Sequence, residues 1–264
     1  MKKYISYLFV SFRANVAYKG DFALAILFEM VYFYIYFALW RTIYSTSGDA
    51  IIASYTVSAM ITYYFITAII YQIEPSNAIF LGQSIWNGSL TNDILKPWKP
   101  QLVDFLYTTG EIGFRAFLYL PFLVFMYLSA HSYIVLPTVP NLLFFIVTLL
   151  LVFFLMLAFQ LGLQALTFFF GDQDANVSLV TYLTAFLGGG VVPLMLLPDK
   201  IRQITEVLPF RFIFNEPANI FLGRVSSGAL LYDWLQIVLW IVLFYVVYVL
   251  LYKKGLKRYT GVGR

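Results

Sequence analysis

Long apolar stretches separated by short polar breaks divide the chain. A hydrocarbon core about 30 Å thick asks for roughly 20 apolar residues of helix. Residues 22–44, 51–73, 103–128, 141–170, 177–197 and 234–252 meet that length, which predicts six spans. A single apolar run of this size crosses lipid only as a helix, because only there does it satisfy its own backbone groups. The fifth run is irregular. Gly188, Gly189 and Gly190 are followed by Pro193 and Pro198, which predicts a broken or bent outer end.

Three segments are neither spans nor plain loops. Residues 1–20 carry Ile5, Leu8, Phe9, Phe12 and Val16 at helical spacing, with Lys2, Lys3, Ser6, Arg13 and Lys19 off that stripe or at its ends. This predicts an amphipathic helix lying on the inner surface as an anchor. It is not a cleavable signal, because Arg13, Asn15 and Lys19 interrupt the apolar region. Residues 76–101, SNAIFLGQSIWNGSLTNDILKPWKPQ, are too polar to span yet carry Ile79, Phe80, Leu81, Ile85, Trp86, Leu90, Ile94 and Leu95. Pro75 suits a helix start, and Pro97 and Pro100 keep that helix from running into the next span. A short helix resting on the membrane fits, either as a docking surface for a cytoplasmic partner or as an ordinary interfacial loop helix. Residues 193–233 alternate apolar residues with charges and are cut by Pro198, Pro209 and Pro217. They are expected to dip into the outer leaflet without crossing and to pack on the ends of the other helices.

Composition agrees with a membrane protein. Hydrophobic residues make up 61% and charged residues 11%, whereas a soluble domain is about one quarter charged. This excludes a soluble enzyme, a disordered tail and a nucleic-acid module; no nucleic acid is expected as a partner. With no cysteine and a single histidine, His131, thiol chemistry, disulfides and clustered-histidine metal sites are excluded. Lys2, Lys3, Arg13, Lys19, Lys96, Lys99, Lys253, Lys254, Lys257, Arg258 and Arg264 fall on one side of the six spans. The other side holds Arg41, Lys200, Arg202, Arg211 and Arg224. The bias puts both termini in the cytoplasm.

Several chemistries are missing. Gly188 to Gly190 are followed by Val191 and Val192 with no lysine, and no phosphate-binding loop occurs elsewhere. His131 has no serine–acid pair nearby, and no nucleophile elbow exists. Asp172 and Asp174 flank Gln173 in a short inner loop, but a cation would need about six oxygens, so a solvated turn is preferred.

Ionisable residues at membrane depth cost at least about 2.5 kcal/mol each and call for named partners. Glu111 and Arg115 stand four apart on the third span with the acid first, the favourable order. Glu29 lies a turn or two inside the first span and by depth faces Arg115, while Glu74 closes the second. A structural cluster tying the first and third spans is preferred to a polar patch on a transport path. Tyr32, Tyr36, Tyr63 and Tyr64 also lie deep, and a buried tyrosine hydroxyl needs a partner. They either line a cavity for an amphipathic substrate or hydrogen-bond between helices.

At residues 4–22, YISYLFVSFRANVAYKGDF, at Trp86-Asn87-Gly88-Ser89-Leu90 with Leu95-Lys96-Pro97, and at Pro193, Pro198, Leu208-Pro209-Phe210, Pro217 and Leu222-Gly223, the chain resembles membrane subunits of ABC transporters of the second export type. The resemblance covers the full length. It implies two paired membrane subunits, each with a helix between its second and third spans fitted to a groove on an ATPase subunit. Phe80, Gln83, Trp86, Gly88 and Leu90 would then carry the coupling. It also implies a path lined by the first, second and fifth spans, the last including Gly188, Gly189 and Gly190. The outer segment, with Pro193, Pro198, Pro209, Phe210 and Pro217, would act as a gate.

The expectation is therefore an all-α polytopic membrane protein. It would have six transmembrane helices, an amino-terminal interfacial helix and an outer re-entrant segment, in one domain over residues 1–264. It would be the non-catalytic permease subunit of an ATP-driven exporter in a prokaryotic inner membrane, contacting lipids, a second permease and ATPase subunits. It would hold no cofactor itself, the ATPase binding ATP and Mg²⁺. An ion-driven secondary transporter would show paired broken helices in two halves, and only one broken span is present. An intramembrane enzyme would need a catalytic cluster, and only Glu29, Glu111 and Arg115 come near one.

Overall fold

The computed structural model describes residues 2–17, 19–75, 80–95, 100–170 and 173–261. Among these the fold is all-helical, apart from an isolated bridge between Ile52 and Tyr55. The helices are α1 (Lys2–Ala17), α2 (Lys19–Ser47), α3 (Val57–Ile73), α4 (Phe80–Trp86), α5 (Leu90–Ile94), α6 (Pro100–Ala130), α7 (Val139–Ala165), α8 (Thr167–Phe170), α9 (Gln173–Leu187), α10 (Asp199–Val207), α11 (Asn215–Phe221) and α12 (Ser227–Leu256). Short 3-10 turns lie at His131–Tyr133, Leu194–Leu196 and Pro209–Phe212.

Among the described residues, four helical stretches are long and apolar enough to cross a membrane: Phe22–Ser47, Phe105–Tyr133, Val139–Phe170 and Ser227–Leu256. They fall on the first, third, fourth and last expected spans. The other two expected spans are shorter helices. α3 has 17 residues, roughly 25 Å, and α9 has 15, roughly 22 Å. Residues 51–55 do not join α3. Ala53 and Ser54 take positive φ of 46° and 67°, and Ile52 and Tyr55 exchange backbone hydrogen bonds of 3.0 and 2.9 Å. Thr56 then caps α3, its hydroxyl accepting from the Ala59 N–H at 3.3 Å. The fifth run stops at Leu187 rather than Leu197, because the three glycines and Pro193 cannot sustain a helix.

The connections gather at two ends of the bundle. At one, the Thr62 hydroxyl accepts from the Val135 N–H at 2.8 Å, and the Tyr55 hydroxyl donates to Asn219 at 2.8 Å. The Arg224 guanidinium stands 3.8 Å over the Tyr55 ring and donates to the Ser54 carbonyl. At the other end, Leu81, Ile85 and Leu90 of the α4–α5 hairpin pack with Leu161 and Ala165 of α7 and Tyr248 of α12. The Gly82 N–H donates to the Gln164 side chain there at 3.3 Å.

α3 is the centre. Residues 60–68 are all buried, as befits a helix apolar on every side. α12 is its opposite, with Leu231, Leu235, Leu239, Val242, Val246 and Leu250 exposed. That surface suits lipid and not water.

α1 packs along α6 by Ser11 and by Phe12 of the expected stripe. Ser11 is fully buried and donates to the Tyr107 carbonyl at 2.7 Å. Phe12 meets Phe114 edge-on at 5.2 Å, while Phe9 and Val16 point outward. A small residue with a hydroxyl lets two helices approach closely and satisfies itself in doing so. The side chains of Ile5 and Leu8 lie outside the described residues.

The outer segment is among the best-packed parts of the chain. Phe210, Phe212, Ile213, Phe214, Ala218, Ile220 and Phe221 are all buried, and α11 rests on α7 and α3. Arg211 fastens this segment to α12. Its guanidinium donates to Glu216, Asp233 and Gln236, each at 2.8 Å. Replacing it leaves two largely buried acids without a counter-charge. Arg211→Met is expected to cost about 3 kcal/mol or more. Arg211→Lys restores only part, because an ammonium lacks the planar fork. Thermal unfolding in detergent measures both; a methionine variant as stable as the native chain would rule out the fastening role.

Candidate functional site

A cavity of about 340 Å³ lies between α2, α3 and α9. α2 contributes Glu29, Tyr32, Phe33 and Tyr36, and α3 contributes Tyr64, Thr67, Ala68 and Tyr71. Both sets follow the i, i+3, i+4, i+7 spacing that puts residues on one helical face. Thr181, Tyr182 and Ala185 of α9, with Gly190 and Val191, complete the wall. Tyr36 and Tyr64 stack at 4.2 Å between centroids, 11° from parallel. Tyr32 is 62% and Tyr182 73% exposed, so the cavity opens sideways between α2 and α9.

Of the four tyrosines singled out in the sequence, Tyr32, Tyr36 and Tyr64 line the cavity. Tyr63 lies behind it, fully buried. The glycine break explains this arrangement. Its carbonyls leave the helix inside the bundle and need donors. Tyr63 donates to the Gly189 carbonyl at 2.7 Å and Tyr64 to the Val191 carbonyl at 3.1 Å. The Asn215 N–H donates to the Gly188 carbonyl at 3.0 Å. Gly189 has a φ of +87°, and a Cβ there would stand 2.6 Å from the Tyr63 hydroxyl; one on Gly190 would meet Tyr71 at 2.5 Å. Lining a cavity and bonding between helices are thus divided among neighbouring tyrosines, with Tyr64 doing both.

The charged group is larger than the expected trio. Arg115 lies 3.7 Å from Glu111, the intrahelical pair expected from the spacing. It also donates to the Glu74 backbone carbonyl at 2.9 Å. Glu74 is buried, with the Thr184 hydroxyl 3.5 Å from its carboxylate. Glu29 is held by the Gln72 amide rather than by a direct bond to Arg115. The group joins α2, α3, α6 and α9, where the expectation tied only the first and third spans. Gln72 and Glu74 were legible only as polar residues closing a span, and Tyr71 only as one of several span tyrosines. Among the described residues, no group of three or more His, Cys, Asp or Glu is arranged to hold a metal ion. Asp172 lies outside them, as does the side chain of Asp174. His131 is exposed, its ring 2.9 Å from the Leu128 carbonyl.

In the hairpin, Gln83 and Trp86 are exposed, Trp86 at 47%. Gly88 makes the turn at a φ of +81°. Leu90 is 0% exposed, so it belongs to the anchoring face and not to a surface that a partner touches. Phe80 begins α4, but its side chain lies outside the described residues, as do residues 76–79 and 96–99. In the outer segment, Pro193, Pro209, Phe210 and Pro217 are buried and Pro198 is exposed.

Among the described residues, four apolar helices of membrane-crossing length around an aromatic cavity define a multi-pass helical membrane protein. The family model described as ABC-2 family transporter protein matches residues 30–263. The chain belongs to that family. No curated protein matches its sequence.

The glycine bend generates a prediction. Gly189→Ala combines a left-handed backbone with a methyl against the Tyr63 hydroxyl, and is expected to lose about 1–2 kcal/mol or more. Tyr63→Phe is expected to lose about 1 kcal/mol, the net worth of one hydrogen bond. Unfolding midpoints of the purified variants test both, and an unchanged Gly189→Ala midpoint would show that the bend does not depend on this contact.

Proposed function

We propose that this chain is the permease subunit of an ATP-driven ABC exporter, crossing a prokaryotic inner membrane six times with both termini in the cytoplasm. It works with a second permease, identical or sibling, and with two separate ATPase subunits that hold the nucleotide and its Mg²⁺. The cavity between α2, α3 and α9 is one half of the substrate path, and the outer segment caps it. The chain itself carries out no covalent chemistry.

The observation that carries this reading, within the family, is the two-faced hairpin. Leu81, Ile85 and Leu90 sink into the bundle, while Gln83 and Trp86 stand free at the same end as Lys253, Lys254, Lys257 and Arg258. A helix anchored on one side and bare on the other transmits a push. α4 touches α6, α7, α8 and α9, and α9 is a wall of the cavity. Closure of an ATPase pair against Gln83 and Trp86 would therefore reach the cavity through one short, stiff lever.

The test is capture of the native chain in mild detergent together with an ABC-type ATPase subunit, identified by its phosphate-binding loop and by Mg²⁺-dependent ATP hydrolysis in the eluate. A Gln83→Ala/Trp86→Ala variant should lose about tenfold or more of that bound ATPase, as expected when an exposed aromatic anchor is removed, while its unfolding free energy stays within about 0.5 kcal/mol of native. Full ATPase retention by a well-folded double variant would remove the hairpin from the coupling path. Uphill solute movement by the chain alone in vesicles would overturn the whole reading.

A further inference from the structure

The cavity has a chemical bias that neither size nor apolarity explains. Its volume, about 340 Å³, falls in the range of small-molecule pockets, about 300–1,000 Å³. Five of its lining residues are tyrosines: Tyr32, Tyr36, Tyr64, Tyr71 and Tyr182. The face of an aromatic ring carries negative potential and attracts cations. One carboxylate, Glu29, also lines it, and no lysine, arginine or histidine is among the described lining residues.

Arg115 lies within electrostatic reach of Glu29, but its direct contacts are made elsewhere. Arg115 donates to the Glu74 carbonyl at 2.9 Å and pairs with Glu111 at 3.7 Å. The group bonded directly to the Glu29 carboxylate is the neutral Gln72 amide. An ionised carboxylate at this depth is costly, and a cation entering the cavity offsets that cost where an anion adds to it. The lateral opening past Tyr32 is flanked by exposed Phe28, Val31 and Ile35, which suits a solute that partitions into lipid.

We propose that the cavity accepts a monocationic amphiphile, its cationic centre held between the Glu29 carboxylate and the tyrosine ring faces, and its apolar body against Phe33, Ala68 and Val191. This rests on reading the cavity as part of the transport path. It gives Glu29 a role beyond the charged group it belongs to: Arg115 bridges to α3 at the Glu74 carbonyl, and Glu29, at the cavity wall, also reads the charge of what enters.

Two probes of nearly the same shape and opposite sign decide it: tetraphenylphosphonium and tetraphenylborate. The full chain is placed in phosphatidylcholine nanodiscs, and binding is measured by equilibrium dialysis with empty nanodiscs subtracted. Tetraphenylphosphonium should bind saturably, at one site per chain, with at least about tenfold higher affinity than tetraphenylborate, a difference of about 1.4 kcal/mol. Glu29→Gln preserves shape and should weaken tetraphenylphosphonium by about tenfold without raising tetraphenylborate losses. Equal saturable binding of the two ions, absence of saturable tetraphenylphosphonium binding, or undiminished binding in a folded Glu29→Gln variant would each overturn the proposal. If that variant does not fold, the comparison of the two ions on the native chain decides alone. No ATP is present, so failure here with an ATPase still captured removes only the substrate class. Selective binding without any ATPase partner removes the exporter reading and leaves the site.

Discussion

Between Leu187 and Pro193 the backbone leaves its helix while still inside the packed bundle, and every carbonyl freed there must find a donor. That constraint organises the fold around it. Tyr63 and Tyr64 of α3 and the Asn215 N–H supply the donors. For their hydroxyls to reach, α3 must run close beside the bend, and Gly188 to Gly190 have no side chains to keep it away. For Asn215 to reach, the outer segment must fold down onto the bundle, which buries its phenylalanines. The Arg211 contacts to Asp233 and Gln236 then hold that segment against α12. One broken helix thus fixes the position of the central helix, the outer cap and the cavity between them.

The charged group near the opposite end of α3 follows a second economy. Glu74 caps α3, and its backbone carbonyl takes a charged donor from Arg115. A guanidinium with several donors serves a buried helix end and a neighbouring acid at once. This is a better use of one arginine at membrane depth than a lone pair with Glu111. Thr184 extends the same network to the last turn of α9, so the cavity wall is tied to α3 both there and at the glycine bend that follows.

Much of this was legible before any coordinates. The apolar runs locate the helices, and the glycines and prolines locate the break, because both signals are local. The first, second and fifth runs do enclose a cavity, and three of the four deep tyrosines line it. The cavity faces were also written in the chain, as Glu29-Tyr32-Phe33-Tyr36 and Tyr64-Thr67-Ala68-Tyr71 at helical spacing. In a chain so rich in aromatics, that spacing does not distinguish a cavity face from a packed one. What the chain alone does not show is which acid meets which donor. Glu29 takes Gln72, and Arg115 takes a backbone carbonyl, because pairing depends on the relative rotation of helices and not on depth. The Arg211 contacts were hidden for the same reason, since Arg211 and Asp233 stand far apart in sequence. On α1, the hydroxyl contact of Ser11 to α6 was not legible, because close helix packing favours a small residue that hydrophobicity ranks below Phe9.

α9 bears on how motion at the α4–α5 hairpin would reach the segment after the glycine bend. α4 touches α9, and the glycine bend ends α9. A 15-residue helix about 22 Å long is stiff over that distance, so displacement at one end arrives at the other with little loss. The bend converts it into movement of the carbonyls that Tyr63 and Tyr64 hold. On the proposed reading, a push on the hairpin therefore changes the width of the cavity and the seating of the outer segment together. Opening on one side and closing on the other would be two consequences of a single rigid displacement, with no separate gate required.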